Sequence, residues 1–156
     1  MAGTFETRLA ALGITLPAAA APAGNYVPFV VIGNTVFLSG QLPFKDGKLA
    51  SLGRLGDTVS VEDGYQAARL CAINLIAQIK AAAGGDLDRV ARIVRLGGFV
   101  ASTAEFTDQP KILNGASDLM VEVFGDIGRH VRTAVSAPAL PLNTPVEVDD
   151  IVELRP

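Results

Sequence analysis

Cysteine, histidine and tryptophan are almost missing from this sequence: it has one Cys, one His and no Trp. A lone thiol, Cys71, forbids an intrachain disulfide and fits a reducing compartment. Cys71 sits mid-helix among apolar residues and reads as buried and inert. A lone imidazole, His130, excludes a histidine-based metal cluster and reads as a strand-start residue rather than a catalyst. Charge is scarce too, at 19% of residues, with a net value of −3 and no block of Lys or Arg. Attraction to phosphates is therefore weak, which argues against nucleic acid as the main partner. No apolar run approaches the ~20 residues of a membrane helix. The segment MAGTFETRLAALG carries an early Glu6 and no cationic stretch leading into an apolar one. It does not read as a signal peptide, so a cytoplasmic location is expected. No glycine cluster is followed by Lys-Ser/Thr, as a phosphate loop requires, and nothing around Ser39-Gly40 makes a nucleophile elbow.

What the chain has in quantity is apolar residues, 49% of the total, with a mean hydropathy of +0.37. That exceeds the need of an ordinary monomer of this size. It points to an oligomer that buries one face, with a dense monomeric core as the alternative. The length fits one domain over 1–156, in which 1–21 form an appended helix and linker and 22–156 the main fold.

Hydrophobic spacing predicts a short helix over Thr4–Leu12, then a linker-like LPAAAAPAG at 16–24. Two apolar runs, Tyr26–Ile32 and Thr35–Ser39, flank Gly33-Asn34, a two-residue hairpin signal. Lys45-Asp46-Gly47-Lys48 reads as a turn, and the glycine-rich stretch to Thr58 as loop. Ser60 and Asp63 form a capping-box-like start to a helix that runs to about Ala83. Its packed stripe is Val61, Tyr65, Ala68, Ala72, Leu75 and Ile79, and Gly84-Gly85 ends it. Ile93–Ala101 reads as a central strand buried on both faces, with Gly97-Gly98 marking a bulge or close approach. Lys111–Phe124 is a second amphipathic helix, stopped by Gly125. Val131–Ala137 and Pro145–Leu154 are the final strands. The expected architecture is α+β: a sheet with two helices on one face, plus the extra N-terminal helix.

The last two strands carry the candidate chemistry. Alternation puts Val131, Thr133 and Val135 on one face and Arg132, Ala134 and Ser136 on the other. An antiparallel hairpin centred near Ala139-Leu140 would set Arg132 opposite Glu147. Arginine is a planar, permanently charged fork suited to a carboxylate, and a nearby Glu can orient or deprotonate a water. On spacing alone, a cross-strand salt bridge that only stabilises the hairpin is the favoured reading. Asp149-Asp150 reads as a solvated strand edge rather than a metal pair.

Four segments, in order, resemble one family. GNYVPF at 24–29 is similar to the Gly-x-Tyr start of reactive intermediate deaminases, the Rid or YjgF proteins, which also carry endoribonuclease L-PSP names. FLSGQLP at 37–43 resembles their Ser-Gly-Gln-hydrophobic-Pro segment, and Asn114 falls at their second-helix Asn. RHVRTAVSAPALP and PVEVDDIVEL resemble their closing signature, across a likeness spanning about residues 22–154. The resemblance implies a chorismate-mutase-like fold and a homotrimer with sites in clefts between subunits. It implies hydrolysis of enamine or imine intermediates, such as 2-aminoacrylate, to 2-keto acids and ammonia, with no metal or organic cofactor. Arg132 would bind the substrate carboxylate and Glu147 would place the attacking water, with Tyr26, Ser39, Gly40 and Asn114 lining the cleft. Ala134 stands where many deaminating members have Cys, so backbone contact survives while packing and selectivity change. The N-terminal helix, the 45–60 loop and the Gly125–Gly128 approach are additions to the family pattern. A non-catalytic trimer that binds a small carboxylate or a partner protein is the second reading. Ribonuclease activity ranks last, given the acidic balance.

Overall fold

A computed structural model describes residues 2–156. Helix α1 (Thr4–Ala11) precedes the hairpin strands β1 (Phe29–Ile32) and β2 (Thr35–Gln41). The turn at Lys45–Lys48 is the tip of a small hairpin, β3 (Phe44–Lys45) and β4 (Lys48–Leu49), which the loop reading omitted. Helix α2 (Val61–Ala82), strand β5 (Val90–Ala101) and helix α3 (Gln109–Phe124) follow, then strands β6 (Val131–Ala137) and β7 (Val146–Leu154).

Local signals set most of these bounds. The Ser60 hydroxyl accepts the Asp63 amide at 3.1 Å and caps α2. Gly33 turns β1 into β2 with φ +61°, a conformation that costs a side-chain-bearing residue far more. β1 itself starts at Phe29, not Tyr26: the Pro28 carbonyl still accepts from the Ser39 amide and hydroxyl, but proline has no N–H to return the ladder bond. The buried stripe of α2 begins at Gly64 rather than Val61, which is exposed.

The main sheet has the order β1-β2-β7-β5-β6. Only the β5–β6 pair is parallel, as the connection through α3 requires. β6 and β7 are therefore not a hairpin: β5 lies between them, and 138–145 steps over its end. Helices α2 and α3 cover one sheet face, and Ile76, Ile79, Ile112, Leu119, Val100, Val146, Val148 and Val152 make a fully buried core between the layers. Helix α1 docks at the end of α3, with the Phe5 ring edge-on to Phe124 and Asp88 accepting the Thr4 amide.

The opposite face of the sheet is open. The row Val30, Phe37, Ile151, Arg95 and Val131 crosses all five strands on that side. The row Glu147, Phe99 and Val135 runs beside it. β5 is an interior strand as expected, but in the single chain it is not buried throughout on both faces: on the open side Phe99 is 39% exposed. The expected solvated edge at Asp149-Asp150 is also corrected. β7 is an interior strand, and Asp150 is 1% exposed on its helix-facing side.

Candidate functional site

Arg132 and Glu147 do not meet in this chain. Register pairs Arg132 with Leu96, and Leu96 with Asp150, so Arg132 points toward the helices. Glu147 pairs with Phe99 on the open face. Two strand spacings and three residues of register put their Cα atoms on the order of 14 Å apart. The predicted cross-strand position opposite Glu147, and with it the hairpin salt bridge, is overturned by the insertion of β5.

The candidate residues form two half-sites. The first is built where β6 meets α3. Pro110, Asn114 and Ser117 follow one another at spacings of four and three along one stripe of α3. The Arg132 guanidinium lies on that stripe. Its Nη1 donates to Ser117 Oγ at 3.0 Å and its Nη2 to the Pro110 carbonyl at 3.4 Å, bracketing Asn114. Ala134, the next residue on the same face of β6, is half-buried against the core. Among the described residues Arg132 forms no ion pair. Its remaining N–H groups form a cationic fork with no intrachain carboxylate, a ready anion site at the sheet edge.

Two residues of this half-site were not read from the sequence as functional. Ser117 Oγ lies 2.9 Å from His130 Nε2, and His130 Nδ1 lies 2.7 Å from the Gly128 carbonyl. His130 immediately precedes β6, and it also joins the Arg132 cluster. Burial lowers its pKa, outweighing the Gly128 hydrogen bond that raises it, and the nearby Arg132 charge lowers it further, which favours the neutral ring. The available signal was the spacing: residues 130 and 132 of a strand share a face.

The second half-site is on the open face. The half-buried Glu147 carboxylate lies over Gly40, where any Cβ would run into it, which explains the glycine after Ser39. Burial raises the Glu147 pKa and the neighbouring Asp149 carboxylate raises it further, so Glu147 is a better proton acceptor than an ordinary surface carboxylate. Asp149 is steadied by Arg95 at 3.4 Å and lies over Gly97, the close approach expected at the glycine pair. Gly98 meets Leu113 on the other face. Ser39 is close by, with its hydroxyl committed to Pro28, and Tyr26 is 53% exposed in the bend before β1. The structure thus joins Arg132, Asn114 and Ala134 in one place, and joins Glu147 with Gly40 in another. Among the described residues no three His, Cys, Asp or Glu side chains gather as metal ligands, and no helix is long and apolar enough to cross a membrane.

Comparison with known proteins assigns the fold to a family. Residues 6–154 match the YjgF/chorismate-mutase-like family, whose description includes the word endoribonuclease. Protein TCP17 of Trypanosoma cruzi is 49% identical over 154 residues, covering 98% of this chain and 96% of its own. The crystal structure of Atu1372 from Agrobacterium tumefaciens, a protein of unknown function, is 50% identical with a TM-score of 0.91 and covers 97% of this chain and 92% of its own. The crystal structure of Escherichia coli TdcF with bound serine is 25% identical with a TM-score of 0.64 and covers 88% of this chain and 94% of its own. The first two thus include the N-terminal helix and linker almost whole. With its mixed sheet, its helix layer and a match across nearly its full length, this chain belongs to the YjgF/Rid family.

Proposed function

We propose that this protein hydrolyses carboxylate-bearing imines and enamines of the 2-aminoacrylate type, and that it does so as a homotrimer whose sites combine both half-sites. The observation that carries the reading is Arg132: a guanidinium held at two points by Ser117 and Pro110, with no carboxylate partner among the described residues. The serine bound to TdcF has the α-carboxylate that such a fork suits.

The chemistry asked of the site is modest. Arg132 takes the substrate carboxylate and fixes the C=N carbon relative to a water. Glu147, contributed by a second copy, orients that water and accepts its proton as the C–O bond forms. The proton passes to the leaving nitrogen, ammonia departs as the C=O bond forms, and a 2-keto acid remains. An enamine first takes a proton at its terminal carbon to become the imine. Positioning and charge complementarity suffice for this reaction.

The test is ammonia release from 2-iminopropanoate generated in situ. Wild type accelerates it, Arg132→Ala abolishes the acceleration, and Glu147→Gln reduces it by about 100-fold. Equal rates for wild type and Arg132→Ala would sink the mechanism. A carboxylate-dependent rise in thermal stability that disappears in Arg132→Ala, with no turnover of any imine, would instead establish a non-catalytic binding trimer.

A further inference from the structure

We infer that His130 and Ser117 are positioning residues, a directed hydrogen-bond relay from the Gly128 carbonyl that fixes the orientation of the Arg132 guanidinium. The inference rests on Arg132 being the carboxylate clamp and adds the device that holds it.

The direction of the relay follows from which atoms can donate. A carbonyl oxygen only accepts, so His130 Nδ1, 2.7 Å from Gly128 O, carries the ring proton. Nε2 of the neutral ring then has a lone pair, and the Ser117 hydroxyl, 2.9 Å away, donates to it. That leaves the Ser117 oxygen as acceptor for Arg132 Nη1 at 3.0 Å, an atom that can only donate. Every link is used once, and for a neutral imidazole no other assignment avoids two donors or two acceptors facing each other.

The relay has its own scaffold. The Gly125–Gly128 turn packs so closely on α3 that a Cβ at Gly128 would strike the Met120 carbonyl. That contact sets the Gly128 carbonyl against the His130 ring. The Pro110 carbonyl holds the other arm of the fork at 3.4 Å. A guanidinium fixed at both arms loses less freedom when a carboxylate docks, so the relay acts on binding rather than on bond breaking.

The experiment compares wild type, His130→Leu, His130→Gln and Ser117→Ala. A glutamine carboxamide reaches the place of Nε2 and keeps an acceptor for Ser117, whereas leucine keeps only bulk. With 2-iminopropanoate, His130→Leu and Ser117→Ala raise KM roughly fivefold with kcat unchanged, the size of one ordinary hydrogen bond lost. His130→Gln restores the wild-type KM. The same order appears in the dissociation constant for pyruvate. Nitrogen-15 spectra, simple because the chain has one histidine, show the Nδ1–H tautomer in wild type. They also show hindered rotation of the Arg132 guanidinium in wild type and His130→Gln, but not in His130→Leu or Ser117→Ala. If His130→Leu and His130→Gln behave alike, or if guanidinium rotation ignores both, the relay is wrong. If wild type turns over no imine, the proposed reaction fails, while pyruvate affinity and guanidinium rotation still decide the relay. Should His130→Leu not fold, Ser117→Ala and His130→Gln decide it.

Discussion

Asp150 is a carboxyl group placed in a hydrocarbon layer. It lies between Leu38 and Leu96 on the helix-facing side, and no side chain among the described residues bonds its oxygens; only the adjacent Ile151 N–H approaches them. Burial pushes its pKa well above the usual carboxylate range. The folded protein therefore keeps a proton that the unfolded chain releases at an ordinary carboxylate pKa of about 3.9. The stability tied to that proton is fully present below the unfolded value and is lost as pH rises toward the folded one. Asp150→Asn, neutral at every pH, is expected to raise the thermal midpoint at pH 7 by on the order of 5 °C, with the gain vanishing toward pH 4. Calorimetry across that range checks it, and a variant less stable at pH 7 would mean that the carboxylate is paired. The sequence hid this residue because Asp149-Asp150 has the local look of an exposed edge. Only the sheet order reveals that one of the two points inward.

Helices α2 and α3 are pressed together at Gly115, where a Cβ would collide with the Tyr65 backbone carbonyl. Gly115→Ala is expected to force them apart and lower stability by about 1–3 kcal/mol, seen as a lower urea midpoint with an unchanged slope. Nearby, the Tyr65 hydroxyl donates to Asp118 at 2.7 Å, and this bond to a carboxylate pushes its pKa up to about 12. Element by element, the helices, the β1–β2 hairpin and the alternation of β6 were legible, because periodicity and capping are local signals. The pairing of β6 was not. Its neighbour β5 is fixed by the α3 crossover, and β7 by contacts across the sheet, while the short 138–145 connection suggested a hairpin. That one misplacement also put Arg132 and Glu147 side by side, a geometry that a single chain does not have.

At the scale of the whole molecule, the open face has the composition of an interface. Phe37 is 44% exposed there and Val135 42%. In the proposed trimer this face is covered, and wild type sediments at about three times 16.2 kDa. Phe37→Lys is expected to sediment near the single-chain mass, keep its circular dichroism and lose imine hydrolysis, because the half-sites no longer meet. A monomeric variant with full activity would show that one chain suffices. The placement of Arg132 and Glu147 on opposite sides of the sheet also has a genetic consequence. Two alleles, Arg132→Ala and Glu147→Gln, each defective alone, should complement when expressed together. In a random mixture, about a quarter of the sites draw an intact Arg132 from one chain and an intact Glu147 from another. A strain that carries both changes on a single allele has no such rescue.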